Sequence, residues 1–491
     1  MAYHLYTSLT TPISPFPQTP QNLFKEGGYN HRDALFGVPP YGGSIAQQVY
    51  YADSTLCDPH VDKTKGFPER PKDRKGKMKP WESPFILMVD VGECSFVQKV
   101  RNAQKAGAAA VLIADTLCLC EDRACMDTVP GDMVLCRDSE PIMADDGSGS
   151  DISIPSFLLF KHDADVIKET LRRNEQVRVE MKYSIPSSDA QVEYDLWTSP
   201  MEGISQEFVA HFESVAEQLA DHARFTPHEY IVDGIFMGCR RNGENICMNL
   251  CTNQGRYCAN DPDGDMRTGA TGADVVAESL RRLCIWDIYG KSNGIGGEWW
   301  AYVSAFSKTC MTKDLFGDPS CRNAAMKQGG VDERKVNECM DDSGGLVQDV
   351  NNTIFEQQQD LMKSTGVVII PSVYVNQVPI RGSISVETAF DAICAGSATA
   401  PDICTECLAC PDVASCAQRG SCSAASNGNI STSTATLSLL ALCCSFLLGG
   451  YAMRRRQQAQ MREQVRDILG QYMPLDENKA PSAYVNESEF M

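Results

Sequence analysis

Cysteine offers this chain more chemistry than any other residue type. There are 22 cysteines among 491 residues, and CTECLAC sets Cys404, Cys407 and Cys410 at the short spacing of metal ligands. A tetrahedral thiolate site needs a fourth ligand, usually from a matching second pair, and none follows. The dense, even set reads instead as disulfide candidates: Cys57, Cys94, Cys118, Cys120, Cys125, Cys136, Cys239, Cys247, Cys251, Cys258, Cys284, Cys310, Cys321, Cys339, Cys394, Cys404, Cys407, Cys410, Cys416 and Cys422. Their pairing cannot be read from spacing. DPDGD (Asp261–Asp265) invites calcium, but an EF-hand loop begun at Asp261 puts Met266 where glycine is needed and Gly272 where glutamate belongs. The seven histidines show no metal-like spacing, and no Ser-His-Asp context, phosphate-binding glycine loop or His-Glu-x-x-His motif is present. The expectation is a protein with no catalytic residues, metal or cofactor.

The remaining motifs depend on which side of a membrane they occupy. Residues 430–453, ISTSTATLSLLALCCSFLLGGYAM, carry no charge and are followed at once by Arg454-Arg455-Arg456. Roughly 20 apolar residues cross a bilayer core, and basic residues after the span mark the cytoplasmic side. The predicted protein is single-pass, type I, with a transmembrane helix at 431–453 and a cytoplasmic tail at 454–491. The cysteines agree, since 20 precede the span and none follows it, as an oxidising lumen permits. Asn351 and Asn429 head lumenal glycan sequons, whereas Asn486 heads one in the tail. The net charge of −20 lies in the lumenal part, because the tail's six basic and six acidic side chains balance. An acidic body argues against nucleic acid as a partner. The start, MAYHLYTSLTTPISPFPQTPQ, lacks a basic and then apolar leader pattern, so the true N-terminus is expected elsewhere.

The elements that position these motifs fall into two lumenal blocks. In the first, residues 30–185, FILMVDV and AAAVLIAD read as buried strands flanking a helix in CSFVQKVRNAQKAG that ends at Gly107. Glycine, proline and aspartate clusters around them favour an α+β or open-barrel fold. LCLCEDRACMDTVPGDMVLCRD reads as a crosslinked loop, and MADDGSGSD as a flexible polar one. In the second block, residues 190–396, ISQEFVAHFESVAEQLADH, DVVAESLRRLCIW and WWAYVSAFSKTC have helical spacing. YIVDGIF and GVVII read as strands, the latter followed by Pro371 and a further strand, VYVN. This last arrangement resembles the C-terminal half of thioredoxin-like domains, where the proline is usually cis. Redox chemistry would need a cysteine pair after YDLWTSP, and none is there. Residues 397–430 are read as a short cysteine-rich stalk.

GVPPYGG, GECSFVQKVRNAQKAGAAAVLIAD and IPSFLLFKHDADVI resemble a protease-associated domain, most closely that of plant-type vacuolar sorting receptors. NICMNLCTNQGRYCANDPDGD, Trp299-Trp300 and the tail's GQYMPLD are similar to further parts of that family. The resemblance implies a receptor that binds soluble vacuolar or lysosomal cargo in the Golgi lumen through its sorting peptide. It would carry that cargo in clathrin-coated vesicles from the trans-Golgi network to a prevacuolar compartment. It implies cargo contacts by Glu93, Ser95, Met143, Asp145 and Asp146, although the family's arginine before Gly-x-Cys is Val91 here. It implies a clathrin-adaptor medium chain reading Tyr472, Met473, Pro474 and Leu475, which Gly470 and Pro474 keep extended. Homo-oligomerisation stays open. The stalk matches only a vestige of the family's EGF-like modules, without the Asp-x-Asp/Glu entry to a calcium site, so calcium dependence also stays open. Two other classes are compatible with the residues: a membrane-anchored peptidase or thiol oxidoreductase, and a disulfide-rich adhesion protein of the cell surface.

Overall fold

A computed structural model describes Leu23 and residues 28–419, apart from 59–65, 69–71, 78, 80–83, 129–134, 188–190, 408–409 and 411. The first domain is built on one open sheet. Its strands are β1 (His31–Asp33), β2 (Ser44–Tyr51), β3 (Ile86–Asp90), β4 (Ala110–Ala114), β7 (Ser156–Leu159) and β8 (Arg178–Lys182), in the order β1-β7-β4-β3-β2-β8. The pairs β2–β3, β3–β4 and β4–β7 are parallel, while the outer pairs β1–β7 and β2–β8 are antiparallel. A parallel centre must be covered on both faces, which is why β4 is apolar throughout and β3 is apolar up to its last residue, Asp90. Ile86, Met88, Ala110 and Leu112 face one core under α3 (Lys161–Arg172); Leu87, Val89, Val111 and Ile113 face the other under α1 (Phe96–Ala106). Helix α1 begins at the Ser95 cap and ends at Gly107, whose φ of 98° is open to glycine without steric penalty. The open-barrel expectation is therefore corrected: the sheet has edges, and its core is parallel with antiparallel borders. The crosslinked loop is as expected. Strands β5 (Cys118–Leu119) and β6 (Cys136–Arg137), with α2 (Arg123–Met126) between them, are tied by Cys118–Cys125 and Cys120–Cys136.

The second domain has a four-stranded sheet of order β10-β9-β16-β17: β9 (Val192–Thr198), β10 (Ala223–Glu229), β16 (Ser372–Val375) and β17 (Val378–Pro379). β9 runs parallel to β10 and antiparallel to β16, with α4 (Gly203–Leu219) and α10 (Val386–Gly396) packed against it. The Ile370–Pro371 bond is cis, as the thioredoxin-like reading expects. Between β10 and β16 lies a long insertion. Its first part holds the short strands β11 (Val232–Asp233), β12 (Arg240–Arg241), β13 (Glu244–Asn245), β14 (Cys251–Thr252) and β15 (Tyr257–Cys258). Its second holds α5 (Gly272–Ile285), α6 (Gly297–Thr309), α7 (Pro319–Gln328), α8 (Glu333–Asp342) and α9 (Thr353–Thr365). An aromatic cluster joins insertion to sheet: the Phe225 ring lies 4.8–5.3 Å from those of Trp286, Trp299 and Trp300.

Two strand expectations fail here. YIVDGIF contributes only the two-residue β11, because ARFTPHE occupies the place beside β9. GVVII makes no ladder; Val367 packs instead with Trp197 and Tyr374. The stalk expectation is also corrected. Helices α11 (Asp402–Cys407) and α12 (Val413–Gln418) bury Cys404, Cys407, Val413 and Cys416 in the core of the second domain. Ser214 of α4 donates to the Ala414 carbonyl at 3.2 Å, so α12 lies on the sheet's own helix layer. Helices α11 and α12 are thus part of that domain.

The two domains meet at GVPPYGG. Gly382 N–H donates to the Ala34 carbonyl (2.9 Å) and Ser383 N–H to that of Gly37 (2.8 Å), while the Tyr41 phenol sits against the Arg381 main chain. A Cβ on Gly382 would fall 2.4 Å from Pro39 and 2.7 Å from the Gly37 carbonyl oxygen, so the junction requires glycine there.

Candidate functional site

The residues expected to contact cargo lie on loops at one rim of the first domain. Cys57–Cys94 joins the loop after β2 to the loop before α1. The Thr55 hydroxyl donates to the Glu93 carboxylate at 2.5 Å, and Glu93 is exposed with φ 67°. Ser95 Oγ accepts the Gln98 N–H at 3.2 Å as helix cap, and its hydroxyl lies near enough to the Asp146 carboxylate to favour its charged form. The structure therefore places Ser95 beside Asp146, with Glu93 two residues before the cap on the same loop. Asp145 lies beneath them: its Oδ1 accepts N–H groups of Gly147 and Gly149, each at 2.9 Å. A Cβ on Gly149 would come within 2.6 Å of the Asp145 carboxylate, so this turn needs glycine. Arg101 closes the loop by grasping Asp151 and the Ser148 carbonyl. MADDGSGSD is thus a polar loop bridged by its own carboxylates and by Arg101.

Met143 differs from its expectation. Its side chain is fully buried against Ala34, Phe36 and Val111, and its main chain pairs with Ala34 and Leu35. It supports the rim from inside and offers no side-chain surface to a ligand.

Burial pushes the Asp145 carboxyl above the ordinary range, though the glycine N–H groups oppose this. Asp146 is also partly desolvated, yet the hydroxyls of Ser148 and Ser95 hold it below that range. As pH falls, Asp145 takes up a proton before Asp146 does.

The second domain carries no thiol chemistry at its thioredoxin-like position. Between β9 and α4 the residues are Ser199, Pro200, Met201 and Glu202. The Glu202 carboxylate accepts N–H groups of Ile204 (3.0 Å) and Ser205 (2.6 Å). The helix end that would stabilise a thiolate is thereby filled with a fixed negative charge. The other cysteines are bonded as Cys239–Cys247, Cys251–Cys258, Cys284–Cys339, Cys310–Cys321, Cys394–Cys404 and Cys410–Cys416, and Cys407 is also disulfide-bonded. Sulfurs of Cys239, Cys247 and Cys251 lie within 4.8 Å of one another, but as neighbouring disulfides and not as thiolate ligands. In an insulin-reduction assay the protein is expected to give no turnover above the dithiothreitol background. Thioredoxin-like turnover would overturn this reading.

Two family models match the chain. Residues 45–167 match the PA domain, and residues 192–394 match the vacuolar sorting receptor thioredoxin-like domain. Vacuolar-sorting receptor 1 of Pisum sativum is 33% identical over 395 residues, covering 77% of this chain and 59% of the relative. Vacuolar-sorting receptor 4 of Arabidopsis thaliana is 32% identical over 399 residues, with the same coverage. Over its PA and thioredoxin-like domains the chain is similar to vacuolar sorting receptors. It spans 59% of the length of these relatives.

Asn351 is exposed at the start of α9, donating to Glu356 at 3.3 Å. Cys422, Asn429, the span at 431–453 and the tail motif Tyr472, Met473, Pro474 and Leu475 lie outside the described residues. Among the described residues, no helix is long and apolar enough to cross a membrane.

Proposed function

We propose that this protein is a single-pass sorting receptor that captures soluble vacuolar hydrolases by their propeptides in the Golgi lumen and releases them in an acidic compartment. The observation that carries this is the rim of the first domain: Glu93, Ser95 and Asp146 assembled on loops fixed by a disulfide and a helix cap. An acidic, hydrogen-bonding rim suits an extended peptide, whose N–H groups and cationic side chains need acceptors. The chain's charge of −20 favours the approach of basic peptides over acidic ones. Asn351 and Asn429 would carry glycans, and clathrin-coated vesicles would recognise the tail on the cytoplasmic side.

Release follows from the carboxylates. Burial raises the Asp145 carboxyl, so it is the first of the pair to lose its charge as pH falls. A neutral Asp145 binds the Gly147 and Gly149 N–H groups more weakly, and the loop that presents Asp146 loosens. Isothermal titration of the full chain in mild detergent with a synthetic vacuolar-protease propeptide is expected to show binding at pH 7 and weaker binding at pH 5. Absence of heat at both pH values would overturn the receptor reading. Equal affinities would overturn acid release alone.

A further inference from the structure

Helix α1 carries a lysine on its apolar face. Lys99 lies one turn from Phe96 and Ala103, and its side chain is fully buried. Its Nζ donates to the Thr55 carbonyl at 2.8 Å and to the Gly92 carbonyl, and touches Cys57 Sγ at 3.5 Å. One turn further on, Asn102 donates to the carbonyls of Leu56 (2.8 Å) and Cys57 (3.3 Å). The helix thus holds both rim loops by their main chains, from below.

Those loops need holding. Asp53, Leu56 and Glu93 have φ of 51°, 53° and 67°, a region where a side chain's Cβ crowds the backbone. Non-glycine residues keep such conformations only where the surroundings over-determine them, and such places cluster at ligand clamps. Here a buried ammonium and a buried amide bind four carbonyls, those of Thr55, Leu56, Cys57 and Gly92, and the Cys57–Cys94 disulfide ties the two loops together. The charged groups facing Lys99 are Glu93 and Asp90. Asp90 is engaged by Lys168 Nζ at 2.7 Å and the Tyr51 hydroxyl at 2.8 Å, whereas Glu93 points outward to Thr55.

We propose that Lys99 is a positioning residue for peptide binding: its buried ammonium locks the Thr55 and Gly92 main chains and so presents the Glu93 carboxylate at the rim. This rests on the sorting-peptide reading above. Burial pulls the Lys99 pKa down to about 8, so the amine is charged at neutral and acidic pH and loses its proton in mild alkali. A charge-assisted bond lost there weakens the hold on both loops.

The test uses the full chain in detergent and the same vacuolar-protease propeptide. Lys99→Met keeps the stem and removes the charge; Ile167→Ala opens a cavity on the opposite face of the same sheet, far from the rim. Lys99→Met is expected to bind about tenfold more weakly, as loss of a charge-assisted bond predicts. Amide exchange should quicken at 55–57 and 92–95 only. Ile167→Ala should lower the melting temperature and leave affinity within about twofold of wild type. Wild-type affinity should also decline above pH 8, and Lys99→Met should lack that decline. Unchanged exchange in the two loops, or unchanged affinity despite faster exchange, would overturn the proposal. An equal loss of affinity in Ile167→Ala would make Lys99 merely structural. A wild-type chain that binds no propeptide removes the receptor reading, and this proposal with it, while exchange still reports whether Lys99 holds the loops.

Discussion

Glu229→Gln is expected to stabilise the second domain at pH 7.5 and to leave it unchanged at pH 4.5. Glu229 ends β10 with its side chain fully inside the domain. The nearby guanidinium of Arg282 stands 4.0 Å away, and the Ser279 hydroxyl reaches it only at 3.4 Å. Arg282 gives its Nε to Glu278 at 3.2 Å, and Glu278 also takes Arg281 at 2.6 Å and the Tyr302 phenol at 2.9 Å. Glu278 is therefore the paired carboxylate of this cluster, and Glu229 the poorly compensated one. Burial, with Glu278 adding repulsion and Arg282 opposing it, pushes Glu229 up to about 8 from an ordinary 4.5.

The sign follows from proton counting. Between pH 4.5 and 8 the folded state holds a proton on Glu229 that the unfolded chain has released. The stabilisation from this residue is complete below pH 4.5 and is lost as pH rises through 8. Glutamine mimics the protonated form at every pH, so the variant should lack this slope and exceed wild type by on the order of 3 kcal/mol near pH 7.5. Four of the five tryptophans, Trp197, Trp286, Trp299 and Trp300, lie in this domain, so urea unfolding followed by tryptophan fluorescence reports on it directly. A variant less stable than wild type at pH 7.5 would show that Glu229 is ionised and paired with Arg282.

What the sequence revealed and what it hid divide along one physical line. Periodicity located β3, β4, α1, α4, α5 and α6, because a buried face imposes its spacing on the side chains that cover it. Pairing was beyond it. Nothing local distinguishes YIVDGIF from ARFTPHE as the partner of β9, since that choice is made by contacts across the domain. Residues 402–418 looked like a stalk because a short cysteine-rich segment cannot bury a core of its own; it borrows one, packing α12 on α4. In the candidate site, Glu93, Ser95 and Asp146 are polar and exposed or half-exposed, as polarity suggests. Met143 sits in a polar stretch, but its side chain turns into the core. Lys99 was the legible signal passed over: a charged residue on the apolar stripe of Phe96, Val100 and Ala103 has a buried partner to satisfy.

The other large effect is expected in the C-terminal tail. Tyr472→Ala is expected to abolish useful binding of the tail by a clathrin-adaptor medium chain. The motif QYMPLD places Tyr472 and Leu475 three residues apart, with Pro474 between them and Gly470 ahead. Proline and glycine exclude a continuing helix, so an extended segment can add to a sheet edge while the two apolar side chains fill pockets. Other contacts of so short a motif are mainly main-chain hydrogen bonds, which any sequence supplies. A buried aromatic anchor contributes about 2 kcal/mol or more, and losing about 2 kcal/mol weakens binding roughly thirtyfold. Folding and cargo capture should be untouched, because the expected span at 431–453 separates the tail from the two domains. In cells the variant should leave the endoplasmic reticulum and then collect at the plasma membrane or in the vacuole. The deciding measurement is medium-chain affinity for a peptide of residues 457–491, wild type against variant. Equal dissociation constants would exclude this tyrosine as the signal and point to Ile468-Leu469, the apolar pair that closes the preceding amphipathic turn.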